Sequence, residues 1–195
     1  MVDPLHNEAE IIGRCANGDA DAFGQLVNHY QELIYNVVVR MLGNREDAQD
    51  VAQKVFLKAY RRIETFQGES RFGTWLCSIA VNEAVSERRR QSAIRRSGAM
   101  PLSALDNDPD SPFDPPADGP RPEQPLEAEE MMDRIRSAID ELSDDYRAVV
   151  VLRDIEGLDY KAISQALGCS HGTIKSRLHR ARLQLRAKLK GLVIT

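Results

Sequence analysis

Eight of the nine prolines in this 195-residue chain fall between Pro101 and Pro125, and that clustering limits its architecture more than any other feature. Proline fixes φ and lacks an amide donor, so it ends helices and is excluded from central strands. The remaining one is Pro4, which leaves both flanks free to be helical. Their apolar residues recur every three or four positions, and no alternating strand pattern occurs. The window itself carries six acids and one Arg. Such a segment cannot bury enough apolar surface to offset the entropy of ordering it. The chain therefore reads as all-α. Two small helical domains, 1–96 and 126–195, are joined by a flexible acidic Pro-rich linker over 97–125. Fully stretched, 25 proline-window residues reach about 80–90 Å, enough to let the two halves act far apart.

In the first half, residues 8–42 are helical. Asp19 is placed to cap a helix whose apolar stripe runs Phe23, Leu26, Val27, Tyr30, Leu33, Ile34, Val37, Val38 and Met41. Gly43 stops it and Asn44 caps the next, with Glu46 and Asp47 in the first turn where the dipole favours acids. That helix buries Ala48, Val51, Ala52, Val55, Ala59 and Ile63. It presents Asp47, Asp50, Lys54, Lys58 and Arg61 on its other side. Four aromatics, Tyr60, Phe66, Phe72 and Trp75, bracket the glycine-containing loop FQGESRFGTW. They are either platforms on which unpaired bases stack or a small core plug beneath the loop. Thr74 is placed to cap a following helix buried through Leu76, Ile79, Ala80 and Ala84. Ser78, Asn82, Ser86 and Arg89 form a polar stripe on it, and Arg88, Arg89 and Arg90 end the run.

In the second half, Met131, Ile135, Ala138, Ile139 and Leu142 share one helical side. Ser143 then caps a helix through Val149, Val150 and Leu152 that Gly157 stops. The charge changes sharply after that. Residues 126–159 hold eleven acids against four bases, whereas residues 160–190 hold eight bases and no acid. Within the basic run, Asp159 starts a short helix burying Ala162, Ile163, Ala166 and Leu167, and Gly168 ends it. Ser170 caps a second helix with the stripe Ile174, Leu178, Ala181, Leu185 and Leu189. Two helices joined by a tight Gly turn, the second basic, define a helix-turn-helix. Its outward residues Lys175, Ser176, Arg177, His179 and Arg180 are types that reach phosphates and base edges. A purely structural helix pair would have no reason to shed every carboxylate.

The net charge of −4 does not oppose DNA binding, because repulsion is screened beyond about 8–10 Å. No apolar run approaches the roughly 20 residues of a membrane span, and the N-terminus has no signal-peptide core, so a cytoplasmic location is expected. Cys15, Cys77 and Cys169 are odd in number and far apart. They read as buried or partly buried thiols, not metal ligands or a disulfide frame. The four scattered histidines define no metal site.

Three blocks in order carry a family resemblance: residues 17–63, opening NGDADAF and closing VFLKAYRRI; residues 66–90, FQGESRFGTWLCSIAVNEAVSERRR; and residues 142–186, which include GLDYKAISQALGCSHGTIKSRLHRAR. Together they resemble the extracytoplasmic-function (ECF), sigma-E-like group of RNA polymerase sigma factors within the sigma-70 family. By matching position, the resemblance implies that Asp47, Asp50 and Gln53 dock on the largest subunit of core polymerase. The usual Gln-Glu pair of that surface is Gln53-Lys54 here, which reverses one charge. It further implies that Phe66, Phe72, Trp75, Ser78, Asn82 and Arg89 read and melt the −10 element, capturing a base flipped from the duplex. Lys175, Ser176, Arg177, His179 and Arg180 correspond to readers of the −35 element. The acidic linker is expected to thread the polymerase interior, with the second-largest subunit also in contact. An anti-sigma factor is the implied regulator, and no cofactor, metal, small-molecule substrate or catalytic residue is implied.

Two other classes compete. A stand-alone regulator with this helix-turn-helix would need an effector or receiver domain, and the first half has no strand–helix alternation for one. An enzyme acting on DNA would need converging carboxylates or a nucleophile with its base, and none converge in the sequence.

Overall fold

The computed structural model describes residues 3–97 and 126–190, with side chains from residue 130 onward in the second segment. Eight α-helices follow in order among them: α1 (Glu8–Ala16), α2 (Ala20–Leu42), α3 (Arg45–Arg61), α4 (Phe72–Ser97), α5 (Leu126–Asp140), α6 (Asp144–Val150), α7 (Tyr160–Leu167) and α8 (His171–Lys188). A 3-10 turn at Ile63–Thr65 follows α3, and a π-helical turn at Val151–Ile155 continues α6. No strand occurs among the described residues, which agrees with the all-α reading. Of the expected 97–125 linker only Ser97 is described, as the last residue of α4; the rest lies outside the described residues.

Helices α2, α3 and α4 pack mutually, and α1 lies along α2. The α2 stripe is buried as expected except for half-buried Val27. Each large apolar side chain removed from water there contributes about 1.5–3 kcal/mol. Capping chemistry sets the boundaries. The Asp19 carboxylate accepts from the Ala22 amide at 3.0 Å, and the Asn44 side chain accepts from the Glu46 amide at 3.0 Å. Gly43 closes α2 at φ 78°. That left-handed backbone favours glycine, and an added Cβ, 2.6 Å from the Asp140 carboxylate, would also have to displace that side chain.

Three expectations need correction. Thr74 is not a cap: α4 begins at Phe72, whose buried ring packs on Tyr30, Phe66 and Trp75, and Thr74 is itself buried within the first turn. The aromatic contacts draw the start of the helix back by three residues, from the expected Trp75 to Phe72. Ser143 occupies the cap position of α6, yet its side chain makes no capping bond. Met131 is exposed although Ala138, Ile139 and Leu142 on the same expected side are buried. The N-terminal turns of α5 extend past the elements that cover its end.

The two halves are in contact. Arg147 of α6 is fully buried. Its Nε donates to the Ile139 carbonyl at 3.1 Å, one terminal nitrogen donates to the Met41 carbonyl at 2.6 Å, and the other donates to the carbonyls of Leu142, at 3.3 Å, and Asp140. These acceptors cluster at the C-terminal ends of α5 and α2, where the helix dipole is negative. The Asp140 carboxylate 3.4 Å away completes the compensation. A buried cation lacking such partners would cost several kcal/mol. Arg88 of α4 also donates to the Met41 carbonyl, at 3.2 Å, and pairs with Asp144 at 2.9 Å. Helix α7 lies on α4, and Gln165 donates to the Glu69 carbonyl at 2.8 Å.

Candidate nucleic-acid and polymerase interface

The helix-turn-helix forms as its sequence dictates. Asp159 accepts from the Ala162 amide at 2.7 Å, Gly168 adopts the left-handed conformation at φ 60°, and the Ser170 hydroxyl accepts from the Thr173 amide at 3.2 Å. Ile174, Leu178 and Ala181 bury the inner stripe of α8, with Leu185 and Leu189 half-buried. Lys175, Ser176, His179 and Arg180 are exposed together on the outer side. The Ser176 hydroxyl donates to the Thr173 carbonyl at 2.9 Å, which leaves its lone pairs outward.

Arg177 is placed differently. It is half-buried, with its guanidinium 2.7 Å from the Asp145 carboxylate and 3.9 Å from Cys169 Sγ. The reason is periodicity: position 177 is three after Ile174 and four before Ala181, which puts it beside the buried stripe. Two groups that the sequence reading passed over adjoin Lys175. The Tyr160 ring lies with the Arg153 guanidinium 5.1 Å and the Lys175 ammonium 6.0 Å from its centre, within cation–π range. Arg182 and Lys188 are paired with Asp154 and Glu141 from outside the helix. Three acids of the preceding segment, Glu141, Asp145 and Asp154, thus brace the inner and flanking sides of α8.

On α4, Asn82 and Arg89 are exposed and Ser78 is half-buried, aligned along one side as the spacing predicts. The Ser78 hydroxyl donates to the Trp75 carbonyl at 2.7 Å and Ser86 to the Asn82 carbonyl at 2.8 Å. The aromatics divide between the two readings that the sequence left open. Phe72 is only 1% exposed and is core. Phe66 and Trp75 are half-buried, with ring centres 5.4 Å apart, and each also packs on Phe72. Tyr60 stands apart, edge-on to Phe23 at 4.9 Å.

On α3, Asp50 and Lys54 are exposed, while Asp47 and Gln53 are half-buried. Asp47 accepts from Asn44 at 2.9 Å and from Gln91 of α4 at 3.0 Å. Leu57, 57% exposed, extends the Asp50–Gln53–Lys54 stripe by one turn. A charge-based reading missed it, although its i, i+4, i+7 spacing from Gln53 and Asp50 was available. Lys58 forms an ion pair with Glu83 across α3 and α4.

Cys15 and Cys77 are buried and Cys169 is half-buried. Burial pushes the Cys77 thiol up to about 12, so it is an inert neutral group. Among the described residues, no cluster of three or more His, Cys, Asp or Glu side chains could hold a metal ion. No helix among them is long and apolar enough to cross a membrane.

A helical half with an aromatic-backed polar helix, followed by a half ending in a helix-turn-helix, is the arrangement of the sigma-70 class. Residues 26–94 match Sigma-70 region 2 and residues 132–185 match Sigma-70, region 4. The chain belongs to the ECF RNA polymerase sigma factors within that class. It is 35% identical over 186 residues to the ECF RNA polymerase sigma factor SigW of Bacillus subtilis, covering 93% of this chain and 96% of that protein. It is 34% identical to the RNA polymerase sigma-H factor of Pseudomonas aeruginosa, covering 95% of each. It is 33% identical to the ECF RNA polymerase sigma-E factor of Escherichia coli, covering 94% of each. The fold is similar to that of CnrH in a complex with the cytosolic domain of CnrY, with a TM-score of 0.64, 24% identity and coverage of 93% and 96%. It is also similar to RpoE of Bartonella quintana in a complex with the anti-sigma factor NepR, with a TM-score of 0.63, 24% identity and coverage of 86% and 96%.

Proposed function

We propose that this chain binds core RNA polymerase in the cytoplasm and directs promoter-specific initiation, reading the −35 element with α8 and melting the −10 element with α4 and the loop before it. The observation that carries this reading is the presence, in one chain of this family, of two separate outward DNA-type surfaces. One is cationic, with Lys175, Ser176, His179 and Arg180. The other is polar and backed by aromatics, with Ser78, Asn82 and Arg89 beside Phe66 and Trp75. Phe72 and Arg177 act beneath these surfaces, holding the aromatic pair and seating α8 on α6. Asp47, Asp50 and Gln53 supply the docking stripe on the largest polymerase subunit, with Leu57 as an apolar anchor within it. Bond-making belongs to polymerase; the chain's contribution is binding energy.

Strand opening follows from differential affinity. Flipping a base out of the stack costs a few kcal/mol, and a surface that binds only the flipped form shifts the equilibrium by no more than that preference. Each surface alone is weak, and holding both on one polymerase raises the effective concentration of the second contact. The −10 and −35 elements are separated by about 25 base pairs, roughly 85 Å at 3.4 Å per step. The direct contact of α7 with α4 must therefore give way when both elements are engaged. The reading includes an anti-sigma factor that masks the polymerase-facing surfaces. It draws on the partner-bound relatives CnrH and RpoE and on exposed Leu57 and Leu183.

Run-off transcription with purified core polymerase and this chain over a genomic DNA library tests the reading. Promoter-specific transcripts that depend on the chain are expected. Tight promoter binding by the chain alone with no specific initiation would favour a stand-alone regulator instead.

A further inference from the structure

The exposed residues of α4 depend on a helix that outruns its own core. Beyond Ala84, Glu87 is the only buried residue of α4, and the helix continues to Ser97. Something other than apolar packing must fix the angle of that projecting half, which carries Arg89. The structure supplies a polar junction there. Gln91 Nε2 donates to the Asp47 carboxylate of α3 at 3.0 Å and to the Glu87 carboxylate of α4 at 3.1 Å. Glu87 in turn receives two parallel bonds from Arg90, at 2.9 and 2.6 Å. The same Asp47 oxygen also accepts from Asn44, the cap of α3. The Arg90 guanidinium beside Glu87 keeps that carboxyl below the usual carboxylate range, and the neutral Gln91 amide uses both of its protons between the Glu87 and Asp47 side chains.

We propose that Gln91 is a positioning residue, a brace between the first turn of α3 and the projecting half of α4, that holds the −10-reading side in register with the polymerase-docking stripe. It touches neither DNA nor polymerase. Its side chain joins a helix proposed to dock on polymerase to one proposed to capture the melted strand, so the position of one fixes the other. The inference rests on the proposed function and adds a residue to it.

The bridge has a simple chemical signature. Gln91→Lys keeps a donor between the two carboxylates and supplies a positive charge to both, whereas Gln91→Glu places a third carboxylate among them. The assay uses the full chain with saturating core polymerase. It compares permanganate-reactive open complexes on a linear duplex promoter with those on the same promoter carrying a pre-melted −10 segment, and follows thermal unfolding in parallel. The Glu variant is expected to lose about fivefold or more of its open complexes on duplex DNA and to stay within twofold of wild type on the pre-melted template. The Lys variant should stay within twofold on both, and both variants should unfold cooperatively. Wild-type behaviour of the Glu variant on duplex DNA, or equal losses on the two templates, would overturn the brace. Absence of chain-dependent complexes with the wild type would instead remove the functional reading on which the brace rests, and the brace with it.

Discussion

Gly24 and Gly73 both sit in helices of the first half, and they should respond to alanine with opposite signs. A Cβ at Gly24 would meet nothing within 4 Å. Gly24→Ala therefore recovers about 0.5–1 kcal/mol of helix propensity. A Cβ at Gly73 would fall 2.8 Å from Tyr30 Cε1. That ring is buried, and its hydroxyl donates to Glu8, so it cannot swing away. Overpacking of this kind costs about 1–3 kcal/mol, which outweighs the propensity gain. Urea unfolding should show a higher midpoint for the first variant and a lower one for the second. Nothing in the sequence shows that one of these two glycines faces an aromatic ring and the other open space. Capping residues are more legible, because their partner lies two or three residues away: Asp19, Asn44, Asp159 and Ser170 all cap as their type and place require.

At the scale of the element, α8 carries two arginines of different standing. Arg180 is exposed on the outer side, whereas Arg177 is paired with Asp145. Arg180→Ala should cost about 1–3 kcal/mol in −35 recognition, read as reduced transcription from −35-dependent promoters with unchanged thermal unfolding. Arg177→Ala should lower the unfolding midpoint and leave the ranking of −35 sequences intact. On α4, Asn82→Ala is expected to keep closed-complex binding and reduce open complexes on linear DNA. Equal loss of both would contradict capture of a flipped base. The sequence outlined these outer sides well, since a helical period of 3.6 assigns each residue a direction. It did not anticipate the burial of Arg177 and Phe72, for a shared reason. Charge and aromaticity were weighed ahead of angular position, although Arg177 lies beside a buried stripe and Phe72 within one.

Across the whole molecule, the contact between halves was not legible. Arg88, Arg147 and Gln165 reach carbonyls 47, 106 and 96 positions away. A backbone carbonyl carries no sequence label, so period and composition give each helix a buried side without saying which helix covers it. Glu156 offers a test of this packing. Its π-helical turn contacts α2, and burial, the largest influence, raises its carboxyl above the usual range, with Glu32 raising it further and Arg40 opposing. A carboxyl raised in the folded state stabilises the fold at low pH and becomes a liability as pH rises through the raised value. Glu156→Gln should therefore be more stable than wild type at neutral pH. The difference should shrink as pH falls and the wild-type side chain takes up its proton. Urea midpoints measured across that range would settle it; a constant difference would mean that the charge is not responsible.

The acids that brace α8 also set how strongly its grip on DNA responds to salt. The helix has six cations, Lys175, Arg177, Arg180, Arg182, Arg186 and Lys188, but Asp145, Asp154 and Glu141 already neutralise three of them. Only a cation that displaces condensed counterions from the phosphates adds to the salt dependence. The contribution of α8 to the slope of log affinity against log salt should then be roughly −3, not the −5 that its formal charge would give. Lys175→Gln or Arg180→Gln should flatten the slope measured for the polymerase-bound chain by about 0.9, whereas Arg182→Gln or Lys188→Gln should leave it nearly unchanged. Half of this helix's charge is spent inside the protein, so its hold on a promoter should survive rising ionic strength better than a count of its basic residues implies.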